Sequence, residues 1–405
     1  MRTLEPSALG LSILALLLGA CPASPPPNAS TDGSSGDDPS SDGRPATDDT
    51  TTTTTNGTVD TSGAADGTES TGAPVIPEPG DDTTVVAFEQ AHVFFSGWED
   101  GQNLRSIDVD LEFPDPARAY TSATLRLDLS CPDGACDWWD RKGSLGIVEN
   151  AGTDDERVVE IARFVTPYRV GGQWSLDVSP LRPLLAGPRT VRVTIDTWVG
   201  PGHANGNGWL VDAAFDFVGG VPSERPVEVI PLWPLGELTI GDPDLPLDDQ
   251  VVPAEVTIPP SASRVALWSV ITGHGQGNSN NCAEFCPLAH GYEVGGMPWQ
   301  RTVWREDCAE NPVDNQQGTW TLSRAGWCPG DVVTPWVEDV SAAALGTESL
   351  TVRYDIQGYE NTCRPEAPVC MGCVLGTGCE YDGGNHTPPV IQMSAALVVY
   401  EQTGA

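Results

Sequence analysis

From Val85 to the C-terminus no stretch of ten or more residues carries a convincing helical apolar stripe, and that constrains the fold more than any single motif. The chain alternates instead. In Leu125-Arg-Leu-Asp-Leu129, Val191-Arg-Val-Thr-Ile195 and Leu350-Thr-Val-Arg-Tyr-Asp-Ile356 every second residue is apolar, the period of a half-buried strand. Residues 390–400 read as a final apolar strand. With 44 Gly and 36 Pro to supply turns, the chain predicts an all-β protein of sandwich or jelly-roll type. A Pro-rich passage over 221–234 is the candidate junction, dividing the body into 83–222 and 223–405, each of a size for one domain.

Two segments precede that body. Arg2, an apolar run over 8–18 and the ending Leu18-Gly-Ala-Cys21 predict a signal peptide over 1–20, too short to span a bilayer. A cysteine at the cut is the pattern of a bacterial lipoprotein, so Cys21 is expected to carry lipid and become the mature N-terminus, with the protein exported to the cell envelope or outer-membrane surface. Residues 21–82 are Ser, Thr, Asp, Gly and Pro, with almost no large apolar side chains. They read as a disordered linker that cannot bury a core. Across the whole chain 57 acids stand against 20 basic residues, a net charge of -37 that repels phosphate backbones and argues against a nucleic-acid partner. A neutral sugar is not opposed by such a surface.

Cys21 aside, ten of the 11 cysteines remain, an even number in an exported chain, so disulfides are expected. Cys363, Cys370, Cys373 and Cys379 crowd a Pro- and Gly-rich insertion over 360–386. Two disulfides of open pairing are the reading there, with a four-thiolate zinc site as the alternative. The five histidines are dispersed, with no His-x-His or His-x-x-x-His pair, and no Gly-x-Ser-x-Gly elbow or phosphate loop occurs. Paired carboxylates are the main chemical candidates.

Four stretches could carry them. Cys131-Pro-Asp-Gly-Ala-Cys-Asp-Trp-Trp-Asp140-Arg141 sets two acids, two tryptophans and an arginine on the exit of a turn. Asp140, between apolar rings and Arg141, can be tuned for base or nucleophile work; a solvated acid paired with Arg141 is the plainer alternative. Asp196 and Trp198 share the non-core face of their strand, the combination of carboxylate and indole that sugar sites use; an exposed strand acid accounts for them equally. Gly273-His-Gly-Gln-Gly277 and Asn280-Asn-Cys-Ala-Glu284-Phe-Cys286 would present Glu284 from a tight loop, or form a purely structural knot. Arg324 and Trp327, near Cys328, suggest a polar ligand surface or a structural staple.

These stretches together resemble the bacterial peptide-N-glycosidase F family, amidases that remove N-linked glycans from asparagine. The likeness runs through Cys131 to Arg141, Arg163-Phe-Val-Thr-Pro-Tyr168, Asp196-Thr-Trp198, Cys282-Ala-Glu284-Phe-Cys286, Asn311-Pro-Val-Asp-Asn-Gln316 and Arg324-Ala-Gly-Trp-Cys-Pro-Gly330. The resemblance implies two antiparallel eight-stranded jelly rolls packed side by side with the active site between them. It implies Asp140 as principal catalytic acid, Glu284 acting with it through a water, and Asp196 as a third carboxylate where the family has glutamate. Arg141 would orient the sugar or amide, and Trp139, Trp198, His274, Phe285, Arg324 and Trp327 would bind substrate. His274 and Phe285 stand where the family has tryptophans. The implied disulfides are Cys131–Cys136, Cys282–Cys286 and Cys308–Cys328, with no cofactor, no metal and a monomer. The expected reaction hydrolyses the amide between N-acetylglucosamine and asparagine, leaving aspartate and the intact glycan. Its rivals are a glycan-binding surface lipoprotein with impaired catalysis, and a copper type II monooxygenase-like protein, which five His and four Met, all dispersed, argue against.

Overall fold

The computed structural model describes residues 76–97, 101–242, 244–275, 283–358 and 389–404. The expected signal peptide, Cys21, most of the linker, Cys282 and the insertion at 360–386 lie outside the described residues. Every strand pair is antiparallel, and the strands form four sheets.

Two five-stranded sheets come mainly from the first half of the body. One runs Asn103–Leu104, Thr83–Phe95, Trp209–Gly219, Tyr120–Ser130, Gly172–Asp177; the other runs Asp331–Val332, Arg157–Val165, Lys142–Glu149, Gly187–Ile195, Ser106–Phe113. Leaving aside the two-residue strands, each body half supplies eight. Leu125, Leu127 and Leu129 from the first sheet meet Val191, Val193 and Ile195 from the second in one core, so the alternation in the sequence is the inward face of each strand.

Two four-stranded sheets make the second half. One runs Glu224–Thr239, Val390–Gln402, Arg264–His274, Trp336–Asp339, and the other runs Ala254–Val256, Leu350–Ile356, Leu288–Val294, Met297–Val303. Their core holds Leu267, Ile271, Tyr292, Val352 and Leu397.

The sheet containing Arg264–His274 is covered on both faces. Val265, Leu267 and Ile271 point into the second core, whereas Ala266 and Trp268 join the first. The two halves therefore share packed surface. Within it, Arg163 donates to both oxygens of Glu160 at 2.8 and 2.7 Å, and its Nη1 also donates to Thr272 Oγ1 and Gln392 O, both at 2.8 Å. Ser394 completes the network on Glu160. Asp331–Val332, although late in the chain, adds an edge to Arg157–Val165 of the first half. This crossing carries the 308–330 segment to the mouth of the interface.

Candidate active site

The loop leaving Tyr120–Ser130 is closed by a disulfide between Cys131 and Cys136, with a Cα separation of 4.3 Å. Asp133 and Gly134 turn it through positive φ, a region aspartate and glycine tolerate better than other residues. The first ordering group beyond the turn is Asp137, wholly buried. It accepts hydrogen bonds from Arg141 Nε at 2.7 Å, Thr197 Oγ1 at 2.7 Å and the Trp139 backbone N–H at 3.1 Å. Arg141 is thus paired with Asp137, and the alternative that assigned it to Asp140 as a local ion pair is not what the fold shows. Mutual bonds between Arg141 and Thr166 then fix the backbone beyond Asp140: Arg141 N–H to Thr166 Oγ1 at 2.8 Å and Thr166 N–H to Arg141 O at 2.9 Å.

The second carboxylate arrives from the other half. Glu284 N–H donates to Gly275 O at 3.1 Å, and its carbonyl accepts from Ala325 N–H at 2.8 Å. Gly273 lets this segment close on the strand, since a Cβ there would lie 2.0 Å from Ala283 O. Cys286 is disulfide-bonded, while its expected partner Cys282 lies outside the described residues.

Arg324 joins the two. Its side chain is 1% exposed, with Nε donating to Glu284 Oε1 at 3.1 Å and Nη2 lying 4.0 Å from Asp140 Oδ2. Thr319 O and Leu322 O accept from its Nη1 at 3.0 and 2.7 Å, and Thr319 Oγ1 accepts from its Nη2 at 3.0 Å. The Cys308–Cys328 disulfide ties the segment that bears it. Asp140 and Glu284 keep 18% and 16% side-chain exposure, enough to meet a ligand yet mostly out of water.

Burial sets their titration. It raises Asp140 above the usual aspartate range, against the pull of Arg324, a hydrogen bond from Tyr168 and Arg141. Glu284 is pushed up to about 7, first by burial and then by the charge of Asp140, with Arg324 opposing. Two carboxyls around one guanidinium are coupled, so their protons come off as a unit. Burial and Asp140 together hold the Tyr168 phenol well above its ordinary value, so it stays protonated and can donate.

The other expected residues divide by depth. Trp139 and Trp198 are exposed, and Phe285 is half-buried with the Arg324 guanidinium 5.3 Å from its ring. His274 and Trp327 are buried, so the expectation of a ligand-facing surface fails for both. Trp327 Nε1 donates to Gly273 O at 2.7 Å, its ring stacks on His274 at 5.1 Å, and Arg324 lies 4.9 Å over it. Burial keeps His274 neutral, with Nε2 2.8 Å from Thr272 Oγ1. These rings form the floor under Arg324.

Asp196 lies just past the end of Gly187–Ile195, half-buried and paired with Arg105 at 3.1 Å. Arg105 also lies 4.4 Å over the Trp198 ring. No hydrogen bond or ion pair links Asp196 to Asp140 or Glu284 among the described residues. Sequence reasoning gave no role to Asp137, Tyr168 or Thr319. The signal for Asp137 was present, as the first acid of Cys-Asp-Trp-Trp-Asp.

Against known proteins, residues 244–374 match the family model for the C-terminal part of peptide-N-glycosidase F. The chain is 30% identical over 264 residues to the peptide-N(4)-(N-acetyl-beta-D-glucosaminyl)asparagine amidase F of Elizabethkingia miricola, covering 62% of this chain and 72% of that protein. Among solved structures, the glycosylasparaginase PNGase F of Flavobacterium meningosepticum superposes with a TM-score of 0.62 at 21% identity, over 80% of this chain and 96% of the other. A structure of PNGF-II superposes with a TM-score of 0.59 at 15% identity, over 79% of this chain and 65% of the other. The fold is theirs, and on the sequence match across most of the amidase the chain belongs to the peptide-N-glycosidase F family.

Proposed function

We propose that the protein hydrolyses the amide between N-acetylglucosamine and asparagine in N-linked glycoproteins or glycopeptides. The observation that carries this reading is the pair Asp140 and Glu284, brought from separate halves to one buried guanidinium, with Glu284 pushed up to about 7. Family membership supplies the reaction class, a hydrolase of the peptide-N-glycosidase type.

With Arg324 between them, the favoured state near neutral pH holds one carboxyl protonated and one ionised. The ionised partner takes a proton from water as the water oxygen bonds to the amide carbonyl carbon. The protonated partner delivers its proton to the departing nitrogen as the C–N bond breaks. A glycosylamine leaves, later losing ammonia, and the asparagine becomes aspartate. Arg141, immobilised by Asp137, is placed to orient the polar end of the substrate, and Trp139 to cover its C–H surface. All proton transfers are accounted for by these groups, so activity is expected to survive exhaustive chelation.

Asp140→Asn or Glu284→Gln is expected to cut kcat by roughly 10²–10⁴-fold with folding retained. Full activity in both variants would refute the assignment. The engagement of Asp196 by Arg105 favours a second reading, in which the cleft binds glycans and turns over poorly; Asp196→Glu should then raise the rate. The same proposal takes the protein as exported and lipid-anchored through Cys21, with the glycoprotein substrate met at the cell surface. Radiolabelled fatty acid incorporated by wild type and lost in Cys21→Ser is the expected result.

A further inference from the structure

A cavity lies away from Asp140 and Glu284, at the other end of the strand Arg264–His274. The strand Arg264–His274 places His274 at the catalytic end and Arg264, paired with Tyr400, at the other, some ten residues and roughly 33 Å away. Both halves wall the cavity, which has a volume of about 440 Å³, within the roughly 300–1,000 Å³ typical of small-molecule sites. Arg118, Arg182, Arg225 and Arg264 all line it, in a chain with 57 acids and 20 basic residues. The carboxylates in its wall are Asp177 and Glu224.

Two of these four cations are ion-paired where they stand and two are not. Glu224 holds Arg264 at 2.7 Å, and Arg118 pairs with Glu78, but among the described residues neither Arg182 nor Arg225 has a carboxylate within ion-pair distance. Arg182 is held instead by the carbonyls of Leu185, Pro114 and Asp115 at 2.7, 3.2 and 3.0 Å, and its Nε is buried without a hydrogen-bond partner. Two forks are set in place by rings, Arg264 at 3.5 Å over Tyr400 and Arg182 at 5.0 Å over Tyr120. Four guanidiniums against two carboxylates leave the lining net positive, and arginine's geometry suits a carboxylate. The rings of Pro116, Pro180, Pro183, Pro222 and Pro226 in the wall add apolar surface suited to the C–H face of a sugar. A polyanion is excluded by the overall charge of -37.

We propose that this polar cavity is a binding site for a carboxylated sugar, separate from the catalytic cleft. Its source is either a free sugar acid or the acidic terminus of a glycan, and it does not rest on the amidase reading.

The test is calorimetric titration of the full chain with glucuronate, N-acetylneuraminate, a trisaccharide ending in N-acetylneuraminate, the neutral methyl ester of glucuronate, and sodium acetate. The acids should bind in the millimolar range or tighter, with the ester silent and acetate at least tenfold weaker. Stronger binding of the trisaccharide than of free N-acetylneuraminate assigns the glycan source, and the reverse assigns the free acid. Arg225→Gln, which removes a side chain with no ion-pair partner, should weaken binding at least tenfold and leave deglycosylation unchanged. Equal binding of the ester, equal binding of acetate, no binding of any acid, or undiminished binding in Arg225→Gln would each overturn the proposal.

Discussion

At the scale of single residues, Arg324 decides how the site behaves. Buried and held by four hydrogen bonds, it cannot swing away, so it moderates Asp140 and Glu284 together rather than neutralising one of them. Burial still wins for Glu284, whose pKa in the fold, about 7, lies above the ordinary value of 4.5. A carboxyl raised in this way stabilises the fold below its unfolded pKa, and that contribution is lost as pH climbs through about 7. Glu284→Gln does not titrate. The melting temperature of Glu284→Gln minus that of wild type is therefore expected to rise between pH 4.5 and about pH 8, followed by calorimetry at several pH values. A flat difference would mean that the glutamate is not held up by burial. The site thus gives up stability at neutral pH to keep a proton available.

At the scale of elements, the bridged loop 131–136 and the strands behind it position the chemistry. A disulfide spanning only 5 residues stabilises modestly, about 2 kcal/mol by chain entropy, yet its loop leads directly into Asp137 and Asp140. Replacing Cys131 and Cys136 with serine should lower kcat far more than that cost in stability implies. Equal losses, read from rate and denaturant midpoint, would make the bridge merely structural. Strands with one wet face were legible in the sequence: Leu125, Leu127 and Leu129 alternate because Arg126 and Asp128 face outward. Arg264–His274 and Val390–Gln402 show near-continuous apolar runs because each is packed on both faces, so period alone could not orient them. Asp140 and Glu284 could be singled out from residue type and the turns beside them. The burial of His274 and Trp327 could not, since each is stacked on the other from a segment more than 50 residues away. Asp137 and Tyr168 were equally opaque, because their roles depend on partners 60 residues away at Thr197 and across the interface at Thr319.

For the whole molecule, the two carboxyls proposed to react come from different halves, so the proposed chemistry needs a rigid interface. Arg163 and Glu160, each 1% exposed, sit inside it and tie the halves through Thr272, Gln392 and Ser394. Arg163→Met leaves Glu160 buried without its cation and should cost roughly 3–5 kcal/mol in denaturant unfolding. Activity should fall well before unfolding as the carboxyls lose register. Unchanged stability would show that the network is not what holds the halves. The proposed reaction of this architecture is amide hydrolysis at the glycosylated asparagine. Its most direct test incubates the full chain with a denatured N-glycoprotein in ¹⁸O-labelled water, followed by mass spectrometry of the former glycosylation site. The expected products are aspartate carrying the heavy oxygen and an intact released glycan, with neither from Glu284→Gln. Unconverted asparagine on high-mannose and complex substrates alike, with glycan still bound, would contradict it and leave a glycan-binding protein.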